Sequence, residues 1–266
     1  MVDKIMGPDT YGRQTLERYT GSQLDQFRSN IILCNFQRYV DTYASISGYP
    51  MHSANWSVVH DEQKDISIIN FGIGSPMACI VMHCLSFLDN LECVVMLGMC
   101  GGIDNTLELG DFLIPTASVR DEGTSRHYLP RNVPAQPSFS INRVCEAVIR
   151  KETGKAPKSG IMITTDYRMW EFDQEFIDYI LNHRILAIDM EIATLFAVGY
   201  ALNVPIGAIM LISDLPLREG GIKGKDQARE IFKTYTEKHM NLGIKTFEEI
   251  KRQRIACRHE RSKCEW

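Results

Sequence analysis

Two acids, Glu191 and Asp214, stand at the ends of short apolar runs in the segments AIDMEIATLFAVGYALNVP (from Ala187) and IMLISDLP (from Ile209). A carboxylate at the carboxyl end of a buried parallel strand lies where open α/β sheets bind ligands, and an acid there must be used or neutralised. The pair predicts an active site. Glycines mark two further strand ends. Phe71-Gly72-Ile73-Gly74-Ser75-Pro76 closes one strand and opens a helix, which brings backbone close to a ligand and aims N–H groups at an anion. It departs from the dinucleotide fingerprint, because Met77 occupies the last glycine position and no acidic ribose partner follows. A plain tight turn would read the same way. Leu97-Gly98-Met99-Cys100-Gly101-Gly102-Ile103 is a second cluster, about one βαβ unit later. Side by side the two turns form a nest able to wrap a sugar, with Gly74, Gly98, Cys100 and Gly101 as the candidate contacts.

Such residues need a scaffold, and from Ile66 onward short apolar runs alternate with segments of helical period, the signature of a largely parallel sheet covered by helices. ISIINFGIG, ECVVMLGMCGG, DFLIPTASV, SGIMITTD, ILAIDM and PIGAIMLISD read as strands. Helices are expected at SPMACIVMHCLSFLDN, Ile141 to Glu152, Phe172 to Asn182, Glu191 to Leu202 and Lys225 to Arg254, and Ser29 to Ala44 reads as an earlier strand and loop. The expected fold is α/β, one domain over residues 1–266 with a central mixed, largely parallel twisted sheet flanked by helices.

The composition fits that size: 266 residues, 44% hydrophobic and 23% charged, suffice for one full core. A net charge of -4 gives no general pull toward nucleic acid, so any phosphate site must be local. Eight cysteines carry no CxxC and no zinc spacing, and read as reduced thiols with no metal or cofactor implied. The polar start MVDKIMGPDTYGRQTLERY lacks a signal-peptide pattern, and no window reaches the length of a membrane span, so a cytoplasmic protein without membrane contact is expected. The basic tail KRQRIACRHERSKCEW reads as a solvated helix end, since no stacking aromatics interleave its charges.

The order GIG, GxCGG, MExAT and SD resembles the motif order of the nucleoside phosphorylase and nucleosidase superfamily. In its phosphorylase members an arginine before the second cluster and a serine or threonine within it hold the attacking phosphate. Here Met96 and Met99 take those positions, and thioethers cannot compensate a buried oxyanion, whose burial costs several kcal/mol. Water is the expected nucleophile. RYTGSQLDQF, NFQRYVD, GDFLIPTASVRDEGTSRHYLP, TTDYRMWE, AIDMEIAT and SDLPLREGGIK together look like the catalytic domain of AMP nucleosidases, which split AMP into adenine and ribose 5-phosphate. The long bacterial form carries an additional N-terminal domain associated with regulation, so allosteric control of that kind is not expected here. Purine or uridine nucleoside phosphorylases and a catalytically silent nucleotide sensor are the rival readings.

The resemblance implies roles. Cleaving an N-glycoside passes through an oxocarbenium-like ribosyl cation, so the departing base needs a proton and the sugar needs a grip. Asp214, supported by Ser213, is the expected donor at the base nitrogen N7. Glu191 is expected to accept both ribose hydroxyls with Met190 packed on the sugar, and Asp189 is expected to be structural. Arg38 matches the superfamily's first phosphate-binding arginine, and its apolar neighbours predict partial burial; Arg168, Lys223 and Arg126 are further candidates for the 5′-phosphate. Trp170 or Phe172 could stack on adenine or serve in the core, Glu122 is a candidate to orient the water, and His83 and His127 read as core and loop residues. A homo-oligomer, a hexamer, is also implied.

Overall fold

The computed structural model describes residues 7–222 and 224–257. In chain order its elements are α1 (Pro8–Thr20), β1 (Asn30–Cys34), α2 (Gln37–Ser47), β2 (Met51–Ser53), β3 (Ser57–Asp61), β4 (Ile66–Asn70), α3 (Ser75–Leu85), β5 (Cys93–Gly102), β6 (Phe112–Asp121), α4 (Phe139–Thr153), β7 (Lys158–Thr165), α5 (Gln174–Asn182), β8 (Ala187–Asp189), α6 (Ile192–Leu202), β9 (Ile206–Asp214) and α7 (Lys225–Gln253). The nine strands run in the order β2-β3-β4-β1-β5-β8-β7-β6-β9, and β5 also pairs with β9. That extra pairing closes β5, β8, β7, β6 and β9 into a ring, while β1 to β4 extend from it as an open wing. Pairing is parallel for β1–β4, β1–β5, β5–β9, β6–β7 and β7–β8, and antiparallel for β2–β3, β3–β4, β5–β8 and β6–β9. The sheet is therefore mixed and largely parallel.

Strand β5 is the axis of this arrangement: all ten of its residues are buried, because helices cover both faces and leave no polar side to alternate. One apolar cluster packs α1, α3 and α6 on one face, and a second packs α2, α4 and α7 on the other. Helix α6 is apolar nearly all round and buried from Ile192 through Gly199, as expected of a helix enclosed by its neighbours. Within the second cluster, His239 of α7 stands 2.7 Å by Nδ1 from the Tyr39 hydroxyl of α2 and 3.0 Å by Nε2 from the Ile209 carbonyl of β9. Nε2 must donate to that carbonyl, so Nδ1 accepts from tyrosine; burial pushes the imidazole down to about 4 and keeps it neutral.

The sequence reading assigns no element to α1, β2 or β3, and a loop to α2. The segment after β1 is a helix, not a loop: Tyr39, Val40 and Tyr43 form its buried face, and Gly48, at φ +74°, ends it. Within the polar N-terminal stretch, Pro8–Thr20 forms a helix, α1, with proline in its first turn; its Gly12 lies so close to Phe87 that a Cβ there would meet the ring at 2.2 Å. Among the described residues no helix is long and apolar enough to cross a membrane. The described cysteines are free thiols; Cys264 and most of the basic tail lie outside the described residues.

Candidate active site

The carboxyl ends of β1, β5, β7, β8 and β9 converge on a cavity of about 430 Å³. Of the residues singled out in the sequence, Cys100, Gly101, Arg168, Trp170, Met190, Glu191, Ser213 and Asp214 line it. Glu191, immediately before α6, is almost fully buried. Its Oε1 accepts the Gly74 backbone N–H at 2.7 Å and its Oε2 accepts Nδ2 of Asn35 at 3.2 Å. The Ser75 hydroxyl donates to the Met190 carbonyl at 3.1 Å, so the turn before α3 clamps the whole Met190-Glu191 step. Gly74 has φ +99° and ψ 155°, a region essentially reserved for glycine. Its N–H is thus committed to a protein carboxylate instead of being offered to an anion.

Asp189 plays the structural part expected of it, although it also touches the cavity. Its Oδ1 accepts from Thr164 Oγ1 at 2.6 Å, and its Oδ2 accepts the backbone N–H groups of Glu191 at 3.2 Å and Ile192 at 2.7 Å, which satisfies open donors at the start of α6. Burial raises the carboxyls of Asp189 and Glu191 above their ordinary range, and for Glu191 the neighbouring Asp189 charge acts in the same direction.

On the opposite side, a register shift between Cys100 and Gly101 sets Cys100 against Ile212 and Gly101 against Asp214. The skipped Ser213 is buried, with its Oγ 2.7 Å from Asp214 Oδ1 and 3.3 Å from the Cys100 carbonyl. The irregularity re-aims the acid into the cavity lining. Gly101 permits close approach there, since a Cβ would stand 3.0 Å from Pro216. Met99 lines the cavity, whereas Met96 is fully buried in the core.

Several expected contacts fall elsewhere. Gly98 packs on Met210, whose Cε would lie 2.6 Å from an added Cβ, and does not line the cavity. Arg38 is exposed: in α2 the helical period turns Tyr39 and Val40 inward and leaves the arginine outside, two residues beyond cavity-lining Phe36. Glu122 is buried away from the cavity, accepting from the Ser125 N–H at 2.9 Å and from the Ser125 hydroxyl. With Arg120, which donates to the carbonyls of Leu129, Pro130 and Val133, it fastens the Pro-rich loop instead. Arg126 and Phe172 are exposed and outside the lining, His83 is tied to the Tyr128 hydroxyl, His127 is exposed, and Lys223 lies outside the described residues. Arg168 does line the cavity, but its Nη1 is bound to Glu171 Oε1 at 2.6 Å. Asn35 and Glu171, which the sequence did not single out, are therefore first-rank members of the wall. Among the described residues no group of three or more His, Cys, Asp or Glu side chains is placed to hold a metal ion.

Comparison with known proteins is consistent with this arrangement. Residues 32–247 match the model of the Phosphorylase superfamily. The chain is 25% identical to an AMP nucleosidase of Escherichia coli K12 over 279 aligned residues, covering 88% of this chain and 57% of that protein. It thus spans little more than half the length of that relative. A guanosine phosphorylase of Halorubrum lacusprofundi is 31% identical over 167 residues, 63% of this chain and 68% of the relative. Among solved structures, that of an AMP nucleosidase from Bacteroides thetaiotaomicron superposes with a TM-score of 0.82 at 35% identity, covering 93% of this chain and 99% of that one.

Proposed function

The chain belongs to the phosphorylase superfamily, and from that premise we propose that it hydrolyses the N-glycosidic bond of AMP, giving adenine and ribose 5-phosphate with water as nucleophile. The observation that carries the choice of water is Met99: it lines the cavity where a phosphorylase would hold its phosphate, and Met96, the position of the arginine, is buried in the core. Neither thioether compensates a buried oxyanion. The AMP nucleosidases among the relatives support the nucleotide and the base.

In this reading Glu191 takes the ribose 2′- and 3′-hydroxyls. Each of its oxygens already holds one protein donor, Gly74 N–H or Asn35 Nδ2, and keeps acceptor capacity for one hydroxyl. The same carboxylate stabilises positive charge developing on the ribosyl ring. Asp214, oriented by Ser213, delivers the proton to the departing base, a contribution typically worth about 10²- to 10⁴-fold. Gly101, Ile188, Pro216 and Trp170 supply flat apolar walls for a purine. Arg168 is engaged by Glu171, which turns attention for the 5′-phosphate to Arg38, exposed on α2 two residues beyond cavity-lining Phe36, and to Lys223. We also place the active enzyme in the cytoplasm as a homo-oligomer, a hexamer, in keeping with the superfamily resemblance.

The guanosine phosphorylase relative favours a second reading, phosphorolysis of a nucleoside. Incubation with AMP in phosphate-free buffer, followed by chromatography, separates the two. Adenine and ribose 5-phosphate without added phosphate support hydrolysis; base that appears only with phosphate, together with a sugar 1-phosphate, overturns it.

A further inference from the structure

We propose that Glu171 reads the purine base, accepting a hydrogen bond from the exocyclic amino group of a 6-aminopurine and rejecting a 6-oxopurine. The inference rests on the reading that the cavity takes a purine nucleotide.

The cavity has two chemically distinct ends. Glu191 is held by Asn35 and Gly74, which follow β1 and β4, and defines the hydroxyl-binding end. Trp170 instead belongs to an apolar cluster with Ile103, Ile163 and Ile188, against which Leu217 packs, three residues beyond Asp214. The short 3-10 turn Trp170–Phe172 therefore stands on the side of the proton donor to the base, and Glu171 lies in the middle of that turn, in the cavity wall.

The polarity of the Arg168–Glu171 pair is informative. The arginine side chain is 61% exposed whereas that of Glu171 is 5% exposed, so the acid is the inner member. Arg168 Nη1 holds Oε1 at 2.6 Å, and among the described residues Oε2 has no hydrogen-bond donor. A pair this open at one end contributes little to stability, so folding alone gives weak reason for it. What it does provide is a carboxylate fixed in orientation by a guanidinium, with one oxygen free for a donor. An ionised carboxylate only accepts. The amino group of adenine supplies the missing donor, while O6 of hypoxanthine or guanine, held in the same pose, sets acceptor against acceptor, and the neighbouring N1–H reaches the carboxylate only if the base shifts from the position that Asp214 requires. Sites built around such a complementary group discriminate far better than apolar pockets do.

The test measures binding of the free bases, adenine and hypoxanthine, by titration calorimetry to the wild type, Glu171→Gln and Glu171→Asp, alongside hydrolysis of AMP and IMP. Wild type should prefer adenine by at least about tenfold. Glu171→Gln should cut that ratio about tenfold or more, because its amide can turn an N–H toward O6, and Glu171→Asp, still a pure acceptor, should retain the preference. An unchanged ratio in Glu171→Gln, or an equal loss for both bases, overturns the inference. Base discrimination that depends on Glu171 in a protein that leaves AMP intact would uphold base reading while removing the proposed activity; AMP cleavage with an unaltered ratio would do the reverse.

Discussion

The backbone N–H of Gly74 points at Oε1 of Glu191 from 2.7 Å, so a glycine turn between β4 and α3 orients an acid 117 residues later in the chain. Only glycine adopts the Gly74 conformation without strain of about 1 to 3 kcal/mol. Gly74→Ala should therefore lower the melting temperature by several degrees and reduce kcat/KM for AMP about 10- to 100-fold, by displacing a charge-assisted hydrogen bond. Thermal melts and steady-state kinetics on one preparation check both; wild-type behaviour in each would show that the turn does not position Glu191.

The raised carboxyl of Glu191 fixes the sign of a pH effect. A group whose folded-state pKa lies above its unfolded value contributes stability at low pH, below the unfolded value, and loses it as pH rises through the folded value. Ionised Glu191 is thus a burden at neutral and alkaline pH. Glu191→Gln should gain on the order of 1 kcal/mol relative to wild type between pH 5 and pH 8, with the gain growing as pH rises, while AMP cleavage falls sharply. The neutral amide can donate to Asn35 Oδ1, a buried acceptor without a partner, if that side chain turns over. A variant whose relative stability declines from pH 5 to pH 8 would contradict the assignment.

The strand-end acids were legible because burial of a charge at that place in an α/β sheet is costly unless it has a task, and both line the cavity. Gly98 was misplaced because a glycine that makes room for Met210 has the same sequence appearance as one that makes room for a ligand. The apolar neighbours of Arg38 suggest partial burial, but the helical period of α2 turns it out. The closure of β5 on β9, and with it the approach of Asp214 to Gly101, is a long-range pairing that no local pattern encodes. Glu171 carries no sequence signal, because its partner, Arg168, sits three residues away in a loop with no readable period.

Asp214 offers a cleaner separation of binding from chemistry. Asn keeps the size and can still accept from Ser213, but cannot deliver a proton to the leaving base. Asp214→Asn should lower kcat for AMP about 10²- to 10⁴-fold with KM changed only modestly, the pattern of an interaction made chiefly in the transition state. Single-turnover kinetics would locate the loss in the cleavage step. Retention of near-wild-type kcat would remove Asp214 from the role of acid.

The preference for a nucleotide over a nucleoside tests Arg38, one of the two cations left for the 5′-phosphate. Arg38 is exposed on the first turn of α2, so a contact with the 5′-phosphate made there would be partly screened by water. Its loss should cost less than the 2 to 5 kcal/mol or so of a buried charged contact. Arg38→Ala is accordingly expected to reduce kcat/KM for AMP about tenfold, to leave adenosine cleavage within about twofold of wild type, and to flatten the decline of AMP turnover with added salt. The salt dependence matters because a merely structural role for Arg38 would damage both substrates alike at every ionic strength. Parallel losses on AMP and adenosine would move the phosphate away from α2, and equal wild-type efficiency on the two substrates would argue for a nucleoside enzyme.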